Sequence, residues 1–433
     1  MLNILLLGKQ LLSELNKKDK FFLSFSFLIL ITTFILGAQK IGLKSDFQDY
    51  YKASELFRNS KDIYQLELLK SLKESIKPED AFKTENLIKL ESLKNSVGTY
   101  IYPPTFAFLL LSISWLPYTF SSAIFYILNF SFLLISMYWI LQITNTKKKY
   151  LILFLSIILS FRYLENHFYN NQVAFILLGL ILYSIRTKNP YSSGAALSLA
   201  IVIKLTPGIF LLYFLFQKDW KKISLTIFFL VLWVLLPFLS GLQYNWSLLT
   251  DWIDMVLKNF LQNPEFRAWK NNQSLIATLA KYFLPNGDLQ NQTEFGMPFI
   301  TLSPKFVKII FYFFALLFFG SGLLKYYKSK VNLSNSQVIS LLFILSVIFS
   351  GISWIHSFVF LLFPITYGLV NILENTVSLF SKILFWISVT LPILSGRVFV
   401  GNFLEDLLLM ISVLLYTSTL LYISILSFKK NGN

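Results

Sequence analysis

Long apolar runs alternate with shorter polar segments along almost the whole chain. A helix needs about 20 apolar residues to cross a bilayer, and most of these runs approach or exceed that length. Counting one helix for each such length gives about twelve spans, with both termini in the cytoplasm. The sequence therefore predicts an all-α polytopic membrane protein that forms a single integral membrane domain over residues 1–433. In chain order the runs are Phe21–Gln39, Thr105–Ile143, Leu151–Ser160, Val173–Ile185, Ala195–Phe216, Ile223–Leu242, Ile309–Leu324, Val338–Ile352, Phe358–Leu373, Ile383–Leu394 and Leu407–Phe428.

Two longer polar stretches, residues 40–100 and 243–304, interrupt this pattern and are predicted to be extracytoplasmic loops. In the first loop, apolar residues recur at helical spacing on both sides of Pro78, which predicts two helices lying on the membrane surface. The run Phe21–Gln39 follows a basic start and lacks a small-residue cleavage site. We therefore interpret it as an uncleaved first span.

Composition narrows the class of protein further. Hydrophobic residues make up 55% of the 433 residues and charged residues only 14%, which excludes a soluble enzyme with a single anchor. The net charge of +16 comes from short Lys and Arg clusters at the ends of apolar runs. Such clusters orient helices and attract anionic lipid head groups, so we expect no nucleic-acid partner. The absence of cysteine excludes disulfides and thiolate catalysis.

One basic cluster leaves the topology open. Lys147–Lys149 follows the run Thr105–Ile143, which contains Leu116 and Pro117 as a turn signal. Two full spans in this run would place the cluster outside. One span plus a short or re-entrant segment would place it in the cytoplasm, as the positive-inside rule prefers.

The segment Ser45–Tyr64, at the start of the first loop, contains the first candidate catalytic residues. Asp46 and Asp49 lie beside the pair Tyr50 and Tyr51. A carboxylate held at the membrane surface can act as a general base toward a hydroxyl. Aspartate is also a common residue in the first turn of a helix, and the local sequence does not separate the two roles.

Lys204 is the second candidate, because it lies within the run Ala195–Phe216, three residues before Pro207. This pattern predicts two half-helices that meet at a polar point. A charge at that depth usually faces a cavity, although a lysine can also extend its ammonium group to the interface.

The two histidines, His167 and His356, are isolated, and we expect structural hydrogen bonding rather than a metal site. Four cations near span ends could bind phosphate, although each taken alone is more simply a solvated or head-group charge. These four are Arg162, Arg267, Lys270 and Arg397.

Several short motifs occur in a particular order along the chain. They are Asp46-Phe47-Gln48-Asp49-Tyr50-Tyr51-Lys52-Ala53 through Asp62-Ile63-Tyr64, Tyr102-Pro103-Pro104 followed by Leu116-Pro117, Lys204-Leu205-Thr206-Pro207, Asn272-Gln273-Ser274 and Ser353-Trp354-Ile355-His356. This ordered set resembles glycosyltransferase family 87, whose type members are polyprenol-phosphate-mannose-dependent α-mannosyltransferases of the GT-C fold. Two motifs depart from the family pattern: Gly-Gln-x-Asn reads Asn171-Gln172-Val173-Ala174, and the second histidine of the last motif is Ser357.

The resemblance implies a reaction and a location. One hexose, mannose in the type members, would move from a polyprenyl-phosphate donor to a hydroxyl of a lipid-linked or cell-surface glycan. The reaction would invert the anomeric centre. It would take place in the cell membrane, at a site that faces away from the cytoplasm. Asp46 matches the proposed base of the family, and Asp49 is the alternative. The donor carries its own phosphate and lipid anchor, so we expect no metal and no cofactor.

The remaining candidate residues would bind substrate. Lys204 and His356 are candidates for the leaving phosphate, and the candidates for other substrate contacts are Asn272, Gln273, Gln172, Tyr50 and Tyr51. About twelve spans and a broken helix also describe a carrier or flippase for lipid-linked glycans, and a glycan polymerase or ligase is a third possibility. A transporter of this kind predicts inverted-repeat symmetry, and the sequence shows no visible repeat.

Overall fold

The computed structural model describes residues 15–64, 100–258, 262–284, 294–328 and 334–428. The two surface helices predicted around Pro78 lie outside the described residues. Within the described ranges the regular elements are helices and none is a strand, which confirms the all-α class. The α-helices are α1 Lys17–Ala38, α2 Asp46–Arg58, α3 Pro104–Leu109, α4 Leu111–Ser114, α5 Tyr118–Thr144, α6 Lys149–Leu159, α7 Phe161–Asn170, α8 Ala174–Arg186, α9 Pro190–Ile203, α10 Leu211–Phe216, α11 Trp220–Leu235, α12 Leu242–Trp252, α13 Leu275–Phe283, α14 Pro304–Lys328, α15 Asn335–Ile348, α16 Leu362–Glu374, α17 Leu379–Leu394, α18 Arg397–Met410 and α19 Val413–Ser427.

In the described part of the chain, five helical segments are long and apolar enough to cross a membrane, and the number rises to seven if two bent helix pairs each count as one span. This confirms a polytopic membrane protein, whereas the count of twelve stays a prediction. Other apolar runs form helices of 10–17 residues. At 1.5 Å per residue, such helices reach about 15–26 Å, less than the ~30 Å of a hydrocarbon core. The five segments are Lys17–Ala38, Tyr118–Thr144, Trp220–Ser240, Pro304–Tyr326 and Ile355–Glu374.

The run Thr105–Ile143 contains one long helix and two short helical pieces. It forms a single 27-residue helix, α5, preceded by the short pieces α3 and α4. Pro103 and Pro104 start α3, since proline is favoured at the first helical position. The structure therefore has the arrangement of one long helix plus a short segment, and not two equal spans.

The described residues form two compact units. The first, which we call the Asp46 unit, comprises Lys40–Asn129 and Asn170–Asn263. The second, the His356 unit, comprises Met1–Gln39, Phe130–Tyr169 and Pro264–Asn433. Along the chain, one boundary between the units falls within the residues of α5.

Helix α9 forms the centre of the Asp46 unit, where it packs against α8 and α11. Gly194 permits the contact with α11, because a Cβ atom there would lie 2.8 Å from the backbone carbon of Leu225. Small residues are the usual means by which membrane helices approach each other this closely. Helix α2 packs against α3 and α4 in the same unit.

In the His356 unit, the core and the outer surface differ sharply in burial. In an 18-residue apolar window of Ile355–Glu374 the buried share is 89%, whereas in the corresponding window of Pro304–Tyr326 it is only 6%. Helix α15 packs against α16 and α19, and α17 lies along α19. Since α14 leaves so much apolar surface uncovered, we infer that this surface faces lipid.

Two pairs of helices in the His356 unit are sharply bent. Helices α6 and α7 meet at 63°, and α17 and α18 meet at 93°. Arg162, near the first bend, donates hydrogen bonds of 2.7 Å to the Pro392 carbonyl and to Ser395 Oγ at the second. One guanidinium thus satisfies backbone and side-chain groups that the second bend leaves free.

Candidate active site

The first turn of α2 carries both aspartates of the Ser45–Tyr64 segment. Ser45 is extended, with φ −152° and ψ 172°, and Asp46 is the first helical residue. Asp46 and Asp49 lie in the first turn and Arg58 in the last, which matches the charge preference of the helix dipole. The helix-start interpretation of the two aspartates is therefore confirmed, and it leaves room for a second role.

The carboxylate of Asp46 contacts a polar group brought from a distant part of the chain. The amide nitrogen of Gln172 donates a hydrogen bond to Asp46 Oδ2. Gln172 is 4% exposed and lies in the turn before α8, where Asn171 takes a positive φ of 46°. Asn171 Nδ2 in turn donates to the carbonyl of Ser122 at 3.2 Å, which anchors this turn on α5.

Two tyrosines complete the contacts of Gln172. Tyr50 OH donates to Gln172 Oε1 at 2.6 Å, and Tyr102 OH lies 2.9 Å from Tyr50 OH. Tyr50 is 2% exposed, and its ring packs edge-on against the rings of Tyr102 and Phe106 at 5.0 and 5.1 Å between centroids. Tyr102 belongs to the Tyr-Pro-Pro motif, but no role at the site was predicted for it. Its position before two prolines was the only signal.

Burial raises the pKa of Asp46 from 3.8 to about 6. The hydrogen bond from Gln172 lowers the pKa, the negative charge of Asp49 raises it, and the positive charge of Lys204 lowers it. Desolvation wins because it penalises the charged carboxylate more than the single amide and the one cation favour it. A carboxylate with this pKa is ionised at neutral pH and basic enough to take a proton from a hydroxyl.

Lys204 lies where α9 ends, as the sequence predicted. The helix stops at Ile203, Lys204 is extended at φ −151° and ψ 132°, and a 3-10 helix starts at Thr206 with Pro207 in its first turn. The prediction of two helical pieces meeting at a polar point is confirmed. This break brings the ammonium of Lys204 close enough to Asp46 for its charge to act on the carboxylate.

Tyr51 points to a different partner from Tyr50. Its hydroxyl donates to the carbonyl of Leu116 at 3.0 Å, and its ring packs edge-on against Tyr118. The hydrogen bond joins α2 to the turn before α5. An open cavity of about 500 Å³ lies beside the start of α2 and is lined by Gly42, Leu43, Lys44, Gln48 and Tyr118.

In the His356 unit, the amide side chains of Asn272 and Gln273 hold two loops together. Both are 0% exposed. Asn272 Oδ1 accepts from the Ser353 amide at 2.9 Å, and its Nδ2 donates to the Gly351 carbonyl at 3.1 Å. Gln273 Nε2 donates to the Leu409 carbonyl at 2.7 Å. These internal bonds position the Ser353 loop and engage amide groups that were predicted to contact sugar.

Lys281 is a buried cation that sequence analysis missed. It is 0% exposed on α13, and its ammonium donates to the carbonyls of Asn272 at 3.1 Å and Leu409 at 3.0 Å. A single lysine in an otherwise apolar helix was the available signal. His356 belongs to the same unit, is 5% exposed and lies 5.9 Å from Trp354 between ring centroids.

Three of the predicted cations of this unit are paired with carboxylates. Arg162 and Lys270 are largely buried, with 11% and 20% of the side chain exposed, whereas Arg397 is 65% exposed and remains solvated. Glu405 Oε1 accepts from Arg162 at 2.7 Å, and Glu405 Oε2 accepts from Arg397 at 3.1 Å. Lys270 pairs with Asp406 at 2.8 Å. The acidic partners are neighbours on α18, where Arg397 also lies. The pairs made by Arg162 and Lys270 join distant segments and are therefore not visible in the sequence.

Arg267, the fourth cation, is 9% exposed and contacts the backbone where Gly351 lies. Burial lowers its pKa to about 10, so it remains charged at neutral pH. A Cβ atom at Gly351 would meet the guanidinium of Arg267, so this side chain would have to shift if Gly351 were replaced.

Fold and site together define a polytopic, all-helical membrane protein with a partly buried carboxylate that is available for acid–base chemistry. Comparison with known families gives its class: the model of glycosyltransferase family 87 matches residues 100–351, more than half of the chain. The chain belongs to this family and is a membrane glycosyltransferase. No curated protein and no solved structure matches the chain. The matched range includes Gln172 and Lys204, whereas Asp46 precedes it and His356 follows it.

Proposed function

We propose that the protein transfers a hexose, mannose as the first candidate, from a polyprenyl-phosphate donor to a hydroxyl of a lipid-linked or cell-surface glycan. Family membership supports glycosyl transfer. We also propose that the protein has the GT-C fold with about twelve spans, counted at one per ~20 apolar residues, and that its active site faces away from the cytoplasm. The observation that carries the chemistry is the Asp46 carboxylate, held by Gln172 beside the charge of Lys204.

In the proposed reaction, Asp46 takes the proton of the acceptor hydroxyl as that oxygen attacks the anomeric carbon of the donor. The new bond forms as the bond between the anomeric carbon and the phosphate oxygen breaks, and polyprenyl phosphate leaves. A single displacement inverts the anomeric centre. The phosphate gains negative charge as it leaves, and a preorganised cation such as Lys204 can stabilise it. His356 stays a proposed phosphate contact.

The acceptor needs a route to Asp46, and the cavity beside the start of α2 offers polar and aromatic groups. Gln48 and Lys44 can hydrogen-bond to sugar hydroxyls, and Tyr118 provides a ring on which a sugar face can pack. We therefore propose that this cavity receives the acceptor. Tyr51 supports it indirectly, because its hydroxyl holds the turn that precedes α5.

The test is hexose transfer by the purified protein in nanodiscs, with labelled polyprenyl-phosphate mannose and a lipid extract as the source of acceptors. We expect Asp46→Asn to lower the rate by at least about a hundredfold, the usual contribution of a general base. The matched control is Asp254→Asn, which removes an exposed carboxylate paired with Lys258. Full transfer by Asp46→Asn would exclude Asp46 as the base. No transfer by the wild type with any hexose donor would favour a carrier of lipid-linked glycans.

A further inference from the structure

Asp46, Gln172, Tyr50 and Tyr102 form a continuous chain of hydrogen bonds. Tyr102 OH lies 2.9 Å from Tyr50 OH, Tyr50 OH donates to Gln172 Oε1 at 2.6 Å, and Gln172 Nε2 donates to Asp46 Oδ2. Tyr102 OH is also 3.5 Å from Gln172 Oε1. Both phenols therefore lie on the oxygen side of the amide, and the carboxylate lies on its nitrogen side.

The direction of these bonds matters because the oxygen of a side-chain amide only accepts hydrogen bonds, whereas its nitrogen only donates them. If the amide of Gln172 turned over, its oxygen would face the Asp46 carboxylate, and two acceptors would be in contact. That contact is acceptable only when Asp46 carries a proton, since the protonated carboxyl can donate. The orientation of the amide and the protonation of Asp46 are therefore linked.

The two phenols hold the amide in one orientation. Burial raises the pKa of Tyr50 and of Tyr102 well above the usual value, so both hydroxyls remain protonated and able to donate. The rings are fixed by packing, and the turn that carries Gln172 is anchored by Asn171. A neutral phenol that donates to Oε1 favours the orientation in which Nε2 faces Asp46.

We propose that Tyr50 and Tyr102 are positioning residues that hold Gln172 with its amide nitrogen toward Asp46 and so keep Asp46 ready to accept a proton. This inference rests on the proposed function only in calling Asp46 the base. The other charged groups that act on Asp46 are Asp49, on the same helix, and Lys204, at the end of α9.

The first experiment measures the titration of Asp46 directly and needs no substrate. Difference infrared spectra of the protein in nanodiscs, recorded from pH 4 to pH 9, give the carboxyl band that is absent from Asp46→Asn. We expect Tyr50→Phe to raise the titration midpoint of this band by about one pH unit, the size of shift that loss of one favourable hydrogen bond produces. Tyr102→Phe should shift it in the same direction by less, because Tyr102 acts mainly through Tyr50.

Tyr51→Phe is the matched control, because it removes a neighbouring phenol that donates to the Leu116 carbonyl instead. We expect its midpoint to equal that of the wild type. A midpoint for Tyr50→Phe that is equal to the wild type, in protein with an unchanged size-exclusion profile, would overturn the proposal. An equal shift in Tyr51→Phe would overturn it as well, because the effect would then be one of general packing.

The second experiment follows the pH profile of hexose transfer. For Tyr50→Phe we expect kcat/KM to fall about fivefold at pH 6, as a one-unit rise from a pKa of about 6 implies, and to recover most of this loss at pH 8. A uniform loss at all pH values would contradict the positioning role. If the wild type transfers no sugar, the proposed reaction fails, and the infrared titration still decides whether the two tyrosines control Asp46.

Discussion

Asp46 and Asp49 both lie in the first turn of α2, and the negative charge of Asp49 makes Asp46 harder to ionise. Asp49→Asn removes this repulsion. We expect the acidic limb of the transfer rate to move to lower pH by up to about one unit, with the rate at pH 8 retained. The measurement is the pH dependence of kcat/KM. A loss of transfer at every pH would instead identify Asp49 as the base.

Lys204 should also affect the acidic limb of the pH dependence of kcat/KM, in the opposite direction to Asp49, because its positive charge favours the ionised form of Asp46. For Lys204→Met we expect the acidic limb to move to higher pH by about one unit and the rate at pH 8 to fall at least tenfold, since a cation near the leaving phosphate is also lost. Lys204→Arg keeps the charge and is the control for the shift. An unshifted limb in Lys204→Met would show that the two groups are not coupled.

Asp46, Gln172 and Lys204 could each be identified as candidate site residues from the sequence, but their proximity in the folded protein could not. Asp46, Gln172 and Lys204 each belong to a recognisable motif. The contact between Asp46 and Gln172 joins residues 126 positions apart, and only the packing of α2 against the rest of its unit creates it. Asn272 and Gln273 show the reverse case: amides expected to bind sugar turn out to be fully buried and bonded to backbone.

At the scale of helices, the approach of α9 to α11 depends on one glycine. Gly194→Ala places a Cβ atom 2.8 Å from the backbone of Leu225, and backbone cannot rotate away as a side chain can. We expect a loss of roughly 1–3 kcal/mol of stability, typical of overpacking, and a lower transfer rate because α9 also carries Lys204 at its end. Thermal unfolding in detergent micelles measures the first effect and the nanodisc assay the second.

Gly320→Ala on α14 is the matched control for this substitution. A Cβ atom at Gly320 meets no atom of the described residues within 4 Å. Alanine favours a helix over glycine by about 1 kcal/mol, so this change should leave the protein as stable or slightly more stable. Equal destabilisation by both substitutions would show that the close approach at Gly194 is not the cause.

The break in the helix at Lys204 was predictable from local sequence because proline and a buried lysine mark it directly. The bends at Ser160 and near Gly396 were not, since each lies where a predicted apolar run ends, and the end of a run does not reveal that a second helix continues at an angle. What maintains these bends is long-range: Arg162 bonds to Pro392, Ser395 and Glu405. Hydropathy reports how apolar a segment is, and it contains no information about bonds to a distant guanidinium.

For the whole molecule, counting apolar runs overestimates the number of long helices in the described chain. A run can be apolar because it is buried in protein as well as because it faces lipid, and α15 is a 14-residue helix of the first kind. Length then separates the two cases, which composition alone cannot do. Pro104–Ser114 is short in the same way, and its length is the basis for predicting the topology of the next segment.

The last prediction concerns the side of the membrane on which Lys147–Lys149 lies. Helix α1 is the first long span, Pro104–Ser114 is too short to cross, and α5 is the next long span. Residues 45–64 and the Lys147 cluster should therefore lie on opposite sides, with the cluster in the cytoplasm as the positive-inside rule prefers. This arrangement would place Asp46 outside, where a polyprenyl-phosphate donor would be used under the proposed function.

Because the chain has no cysteine, single-cysteine variants can test this arrangement without background. Lys61→Cys and Lys147→Cys both replace exposed side chains. In right-side-out membrane vesicles, a membrane-impermeant maleimide should label Lys61→Cys at once and Lys147→Cys only after permeabilisation. Labelling of both from outside would mean that Pro104–Ser114 crosses the membrane despite its length. Labelling of Lys147→Cys alone would invert the whole topology and place Asp46 in the cytoplasm, where a nucleotide-sugar donor would become the better candidate.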